Sequence, residues 1–147
     1  MSYRLTREYI RSLSIGDLES ISRAKTYAVL KRFVHIRLSL DKKAIDTKLW
    51  VYIGVERDHI VVPETYCSCK HFIIRVMSEK ETPVCIHLLA QRLALEKKMY
   101  RVVEVDIDSY VSIVREIIEY GRSRILRKKL YSRSERPWVE GGRSIRE

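Results

Sequence analysis

The stretch "YCSCKHFIIRVMSEKETPVCIHLLA", residues 66–90, contains all three cysteines of the chain, Cys67, Cys69 and Cys85, with His87 two places after the last. The pattern is Cys-x-Cys, fifteen intervening residues, then Cys-x-His. Three thiolates and an imidazole are the donor types that hold a tetrahedral structural zinc. Cys67 and Cys69 converge if they sit on a strand end or knuckle, where alternate residues point the same way. Cys85 and His87 pose a different problem, because two residues apart on an α-helix are about 200° apart around its axis. They converge only at a helix start, where the backbone is still entering the helix, and Pro83 suits that entrance. Two other readings of the cysteines stay open: buried small hydrophobes, or a disulfide from Cys67 or Cys69 to Cys85, which leaves one thiol over and gives His87 no task.

Working outward, "FVHIRLSL" (33–40) alternates Val34, Ile36, Leu38 and Leu40 with His35, Arg37 and Ser39, the pattern of a half-buried strand. The polar "DKKAIDTK" (41–48) reads as a loop. "LWVYIGV" (49–55) and "HIVVPETY" (59–66) read as two further strands joined across Arg57 and Asp58. Pro63 marks the latter as an edge strand or one ending in a bulge. Residues 83–98 read as a helix with Thr82 as cap, Pro83 first and Lys97 and Lys98 at its end. "YRVVEV" (100–105) suggests a strand. Upstream, residues 4–30 hold two short helical patterns parted near Ser14 to Asp17, either of which suits a cap.

Downstream, Asp106 or Asp108 caps a long helix expected over about 108–132. Its Tyr110, Val114, Ile117, Ile118, Gly121 and Ile125 share one side. Lys128 and Arg124 continue that stripe, so the second half is expected to leave the core and project. Residues 121–147 carry nine Arg or Lys against three Glu, more than half of the chain's formal excess of +10.

Around the cysteines, the residues resemble a known family. Cys67-Ser68-Cys69, Phe72, then Cys85-Ile86-His87-Leu88-Leu89-Ala90 is similar to the SWIM-type zinc finger, whose pattern is CxC, a variable gap, then CxH. The helix and strands before the CxC, in "SRAKTYAVLKRFVHIRL", "WVYIGV" and "IVVPETY", follow the order usual in that family, so the resemblance covers about residues 22–98. It implies a small antiparallel β-sheet followed by a helix, with one zinc held by Cys67, Cys69, Cys85 and His87. Four protein ligands close the sphere, so the metal would be structural. Where many members have a basic or polar residue between the last two ligands, this chain has Ile86. The expected fold class is therefore α+β: an N-terminal helical segment (1–30), the zinc-binding core (31–105), one C-terminal helix (106–133) and a basic tail (134–147).

At 147 residues with 46% hydrophobic and 33% charged, the chain is one foldable domain. It has no apolar run near the ~20 residues of a membrane helix and no secretory signal, so a cytoplasmic location is expected. It lacks Asn, has one Gln, and is rich in Lys, Arg, Glu, Ile and Val, the drift of hyperthermophile proteins, which suggests an archaeal source. A pI near 9.7 favours a polyanionic partner. Nucleic acid is preferred over an anionic membrane, since no amphipathic helix carries aromatic anchors.

The candidate nucleic-acid contacts are Arg115, Arg122, Lys129 and Arg133, spaced by seven, seven and four along the expected helix, continued by Arg136, Trp138 and Arg143 in the tail. Asp106 and Asp108 read as caps, His71 as a competitor for an already full zinc, and His35 and His59 as strand positions. With no Gly-rich phosphate loop, no HExxH and no activated nucleophile in a known pattern, neither an enzyme nor a small-molecule substrate is expected. The expected role is nucleic-acid binding without catalysis, RNA in a ribonucleoprotein assembly such as a ribosome being preferred over DNA. The resemblance implies an alternative, since some members are protein adaptors that partner recombinase-like ATPases in DNA repair.

Overall fold

The computed structural model describes residues 2–131, together with the backbone of 139–140 and 143–144, which pair as a two-residue ribbon. Three helices come first: α1 (Ser2–Arg11), α2 (Ile15–Ser20) and α3 (Ser22–Val29). Ser14 caps α2 in a reciprocal capping box, its hydroxyl accepting from the Asp17 amide at 3.0 Å while Asp17 accepts from the Ser14 amide at 2.9 Å.

Five strands follow: β1 (Phe33–Leu40), β2 (Lys43–Ile53), β3 (Asp58–Val62), β4 (Tyr66–Cys67) and β5 (Arg101–Val105), in the sheet order β4-β3-β2-β1-β5. The first four pair antiparallel and β5 joins β1 in parallel, so the sheet is mixed, not purely antiparallel as expected. The segment read as a loop at 41–48 is instead a tight turn of Asp41 and Lys42, both at positive φ (51° and 66°), and the start of β2. Two left-handed residues give the turn a twist that matches the strands. The exposed, polar Lys43–Lys48 half of β2 hid it from a hydrophobicity pattern.

The sheet is covered on both faces. Phe33, Trp50, Tyr52 and Val61 face one layer, made by α1–α3, a π-helical turn (Phe72–Ser78) and α4 (Ile86–Lys97). Val34, Ile36, Leu49, Val51, Ile53 and Ile60 face the other, made by α5 (Ile107–Tyr120) and α6 (Arg124–Leu130) through Ile113, Ile117, Leu126 and Leu130. This explains the unbroken apolar run Leu49–Ile53: alternate side chains enter two different cores, as in strands buried on both sides. The fold is α+β in three layers, and among the described residues no helix is long and apolar enough to cross a membrane.

The expected single C-terminal helix is two. Asp106 caps α5, accepting from the Ser109 amide at 2.8 Å. Gly121, at φ 78°, ends it in the left-handed conformation, and Ser123 caps α6 through the Leu126 amide at 3.1 Å. Far from projecting, α6 folds back onto the sheet. Arg127 is buried and donates to Asp58 Oδ2 at 3.1 Å, to Asp58 Oδ1 at 2.5 Å and to the Gly54 carbonyl at 2.9 Å. Asp58 Oδ2 also accepts from the Ser123 amide at 2.9 Å, so one buried carboxylate pins the α5–α6 turn to the β2–β3 turn.

Candidate metal centre and the cleft beside it

Pairing of β3 with β4 starts the site. After Val62 the chain turns through Glu64 at φ 64°, and β4 returns with Tyr66 opposite Val62 and Cys67 opposite Val61. Ser68 prolongs the pairing, its amide donating to the Ile60 carbonyl and its hydroxyl accepting from the Ile60 amide, both at 2.9 Å. Cys69 follows in a knuckle whose Phe72 amide donates to Cys69 Sγ at 3.4 Å. On the other side, Cys85 is the extended N-cap of α4 (φ −108°, ψ 168°), and the helix begins at Ile86. That change of backbone between 85 and 87 turns both side chains to one side. The expected Thr82 cap and Pro83 first turn lie before the helix; the Thr82 hydroxyl bonds Val84 instead, accepting from its amide at 3.3 Å.

The four ligand atoms of Cys67, Cys69, Cys85 and His87 lie within 4.8 Å of one another, with the cysteines buried and His87 half-buried. Cys67 Sγ is 3.7 Å from His87 Nδ1. A tetrahedral zinc with usual bond lengths would separate a sulfur and a nitrogen ligand by ~3.6 Å, so this edge fits. All three cysteines are free thiols. His71 is not in the cluster.

Three thiols at such range cannot titrate independently. Hydrogen bonds from Cys67 and then Cys85 drive Cys69 toward thiolate against its burial, while bonding to Cys69 and then Cys85, with burial, pushes Cys67 far up. Cys85, which a bond to Cys67 favours as thiolate, is nonetheless pushed up to about 12 by Cys69 and by burial. These opposing shifts favour a thiolate at Cys69 and disfavour one at Cys67 and Cys85; a divalent ion would hold all three deprotonated. The donor set, its buried position and the 3.7 Å edge all fit a metal. Such an ion would tie the sheet edge to the start of α4, and four protein ligands leave it no position for substrate.

Aromatic rings brace the histidine: Tyr52 and His59 each lie 4.8 Å from the His87 ring, and Tyr27, stacked on Tyr52 at 5.3 Å, lies 5.7 Å away. Burial first and His87 second push the His59 pKa down to about 4, leaving its ring neutral. His35 is half-buried and stacks on Trp50 at 4.7 Å.

Beside the cluster opens a cleft of about 710 Å³ whose walls include Arg23 and Tyr27 of α3, Arg57 of the β2–β3 turn, and Lys70 and His71 of the knuckle. Sequence reasoning weighed His71 only as a competing metal ligand and passed over Arg23, Arg57 and Lys70. Lys70 and His71 directly follow the ligand Cys69, a usable signal, but Arg23 and Arg57 are distant in sequence and meet only in the fold.

Among the described residues the helix expected to carry the basic band is broken at Gly121. Arg115 is exposed on α5, Arg122 in the turn after it, and Lys129 on α6 beyond the break at Gly121, so spacings of seven no longer bring them into line. Lys129 lies close enough to Asp106 to help lower that carboxyl's pKa, behind the amide and hydroxyl of Ser109. Arg133, Arg136 and Trp138 lie outside the described residues, as does the side chain of Arg143, whose backbone belongs to the short ribbon.

No family model matches the chain, and no curated protein or solved structure matches it.

Proposed function

We propose that the chain is a non-catalytic SWIM-type zinc-binding protein that binds nucleic acid, RNA in a ribonucleoprotein assembly ahead of DNA. The observation that carries the nucleic-acid reading is how charge is distributed. Arg7, Arg11 and Arg92 share Glu64, Arg75 pairs with Glu79 and Glu81, Lys97 with Glu19, Arg37 with Asp46 and Arg127 with Asp58. Among the described residues, Arg23, Arg57 and Lys70 beside the cluster and Arg115, Arg122, Arg124 and Lys128 on α5, α6 and the turn between them have no such carboxylate. Uncompensated cations, three of them beside the cluster and four on the α5–α6 layer across the sheet, on a protein with a formal charge of +10 are what a phosphate backbone recognises. The Cys67, Cys69, Cys85 and His87 spacing supports the SWIM reading, and three thiolates with one imidazole favour zinc over harder ions.

The test is fluorescence anisotropy of the metal-loaded protein with labelled RNA and DNA over a salt series. Affinity should fall steeply with salt. Absence of binding to either nucleic acid at low salt would refute the proposal. The second reading, an adaptor for a recombinase-like ATPase, draws on the apolar side chains that α5 leaves exposed, Ile107, Val111 and Ile118 at 49%, 49% and 69%. A specific ATPase co-purifying with a chain that ignores nucleic acid would favour it.

A further inference from the structure

We infer that the cleft beside the Cys/His cluster is a binding site for a short unpaired segment of nucleic acid, with Arg57 and Lys70 on phosphates and the Arg23–Tyr27 stack under a base. This rests on the nucleic-acid reading above and adds the place, the strandedness and the residues.

Charge comes first. Arg23, Arg57 and Lys70 are exposed, line one cleft, and pair with no carboxylate among the described residues. The carboxylate in that wall, Asp58, has a side chain 0% exposed and is taken up by Arg127 and the Ser123 amide, so it does not neutralise the cleft. Nothing comparable holds for Arg7, Arg11, Arg75 or Arg92, whose charges are met by Glu64, Glu79 and Glu81. The cations are also positioned. A Cβ built on Gly121 would come within 2.4 Å of Arg57 Nη1, which means that the guanidinium lies directly against this glycine at the cleft wall. The Arg23 guanidinium sits 5.7 Å from the Tyr27 ring centre and donates to Tyr27 Oη at 3.2 Å, and Tyr27 in turn stacks on Tyr52. Ordered cations lose less entropy on meeting a ligand.

Shape and lining choose among polyanions. A cleft of about 710 Å³ lies in the ~300–1,000 Å³ range of ligand sites, room for roughly one or two unpaired nucleotides and too small for a duplex. Besides the cations and polar groups such as Ser68 and His71, the walls include Tyr27, Ile86 and Ile118, flat or apolar surface suited to a base. Unpaired bases stack on aromatic rings and on guanidinium planes, and the Tyr52–Tyr27–Arg23 column offers such a plane. Ile86, in place of a basic residue between two metal ligands, then belongs to the base-contacting wall while the charge comes from Lys70, Arg57 and Arg23.

The experiment uses the full chain, metal-loaded, with fluorescein-labelled ten-nucleotide oligo(U) and oligo(dT), a duplex of equal length, and polyglutamate as competitor. Single strands should bind more tightly than the duplex and resist polyglutamate. Arg57→Gln/Lys70→Gln should flatten the slope of log K against log salt by about 1.4, two single-strand phosphate contacts at about 0.7 each. Arg23→Gln should weaken single-strand binding about tenfold, with metal content unchanged. If Arg57→Gln disturbs folding through its packing on Gly121, Lys70→Gln alone should flatten the slope by about 0.7. The inference is overturned if the cleft variants bind like the parent while Arg122→Gln/Lys128→Gln or removal of residues 132–147 abolishes binding; the nucleic-acid reading would survive that result. It is equally overturned if the duplex binds as tightly as a single strand, or if polyglutamate displaces the oligonucleotide at equal charge. A parent protein that binds no nucleic acid at all sinks the broader reading.

Discussion

Stripping the zinc that the Cys/His cluster is proposed to hold is the perturbation that probes this molecule most directly. Cys67, Cys69 and Cys85 are 0%, 5% and 1% exposed and belong to the same core cluster as Phe33, Trp50, Phe72, Leu88 and Leu93. Because the three cysteines are a small part of a large apolar core, chelation should weaken the fold and not abolish it, unlike a small zinc finger that unfolds. A metal present at 1,000 times its dissociation constant contributes about 4.1 kcal/mol by mass action. For a domain of this size each kcal/mol moves Tm by ~2–4 °C, so chelation should lower Tm by about 8–16 °C. Proton release provides an independent measure. At pH 7.5 Cys69 is already driven to thiolate, whereas Cys67 and Cys85 are pushed up, the latter to about 12, so loading the apo protein should release about two protons. As both must leave, apparent affinity should fall steeply as pH falls. Elemental analysis, a thermal melt with and without chelator and a dye-based proton count make up the assay. A protein as purified from metal-replete cells that holds no zinc, melts within ~2 °C of its chelated form and releases no protons on zinc addition would refute the reasoning.

Other substitutions test the framework. Arg127→Met leaves the buried Asp58 carboxylate without its cation and should cost ~3–5 kcal/mol, lowering Tm by about 6–20 °C, with Asp58→Asn/Arg127→Met recovering part of the loss in denaturant melts. Glu64 is held below its ordinary pKa: burial opposes ionisation, but bonding to Arg11 and the charges of Arg11, Arg92 and Arg7 outweigh it. A folded pKa below the unfolded one contributes stability above about pH 4.3 that is lost as pH falls through the folded value. Glu64→Gln should therefore cost about 1 kcal/mol at pH 7 and progressively less as pH falls through the folded pKa, a trend readable in urea titrations over a pH series. Gly121→Ala, forced to φ 78° and into Arg57 Nη1, should cost at least about 1 kcal/mol and also weaken single-strand binding by displacing Arg57; unchanged values of both would contradict the contact.

Local signals were legible where one segment carries its own instructions. Alternation in "FVHIRLSL" marks β1, Ser14 and Asp106 cap the helices they were expected to cap, and the Cys-x-Cys and Cys-x-His pairs announced both the cluster and the need to place Cys85 at a helix start. Signals failed where a second element overrides the first. The apolar stripe through Gly121 and Ile125 continues in sequence as if one helix ran on, yet glycine permits a left-handed reversal there, and Asp58, remote in sequence, supplies the carboxylate that makes burying Arg127 tolerable. Lys43–Lys48 read as a loop because its side chains are solvated; the strand is held by backbone pairing to β1. The pairing of β5 with β1 in parallel is likewise invisible in "RVVEV", since direction is set by the crossover and not by side chains.

For the site the division is the same. The sequence by itself determined which residues are the candidate donors, because three cysteines and a histidine stand two apart in two pairs, flanked by a strand and a helix start; that Cys67, Cys69, Cys85 and His87 meet in one cluster was decided by the fold. Only the tertiary structure decided what stands beside them. Arg23, Arg57 and Lys70 belong to a helix, a hairpin turn and a knuckle, and each alone is an ordinary solvated cation. They form one uncompensated cleft because the sheet packs α3 and the knuckle on one face and α5 on the other, and because Arg127 has already claimed Asp58, the carboxylate that would have neutralised them.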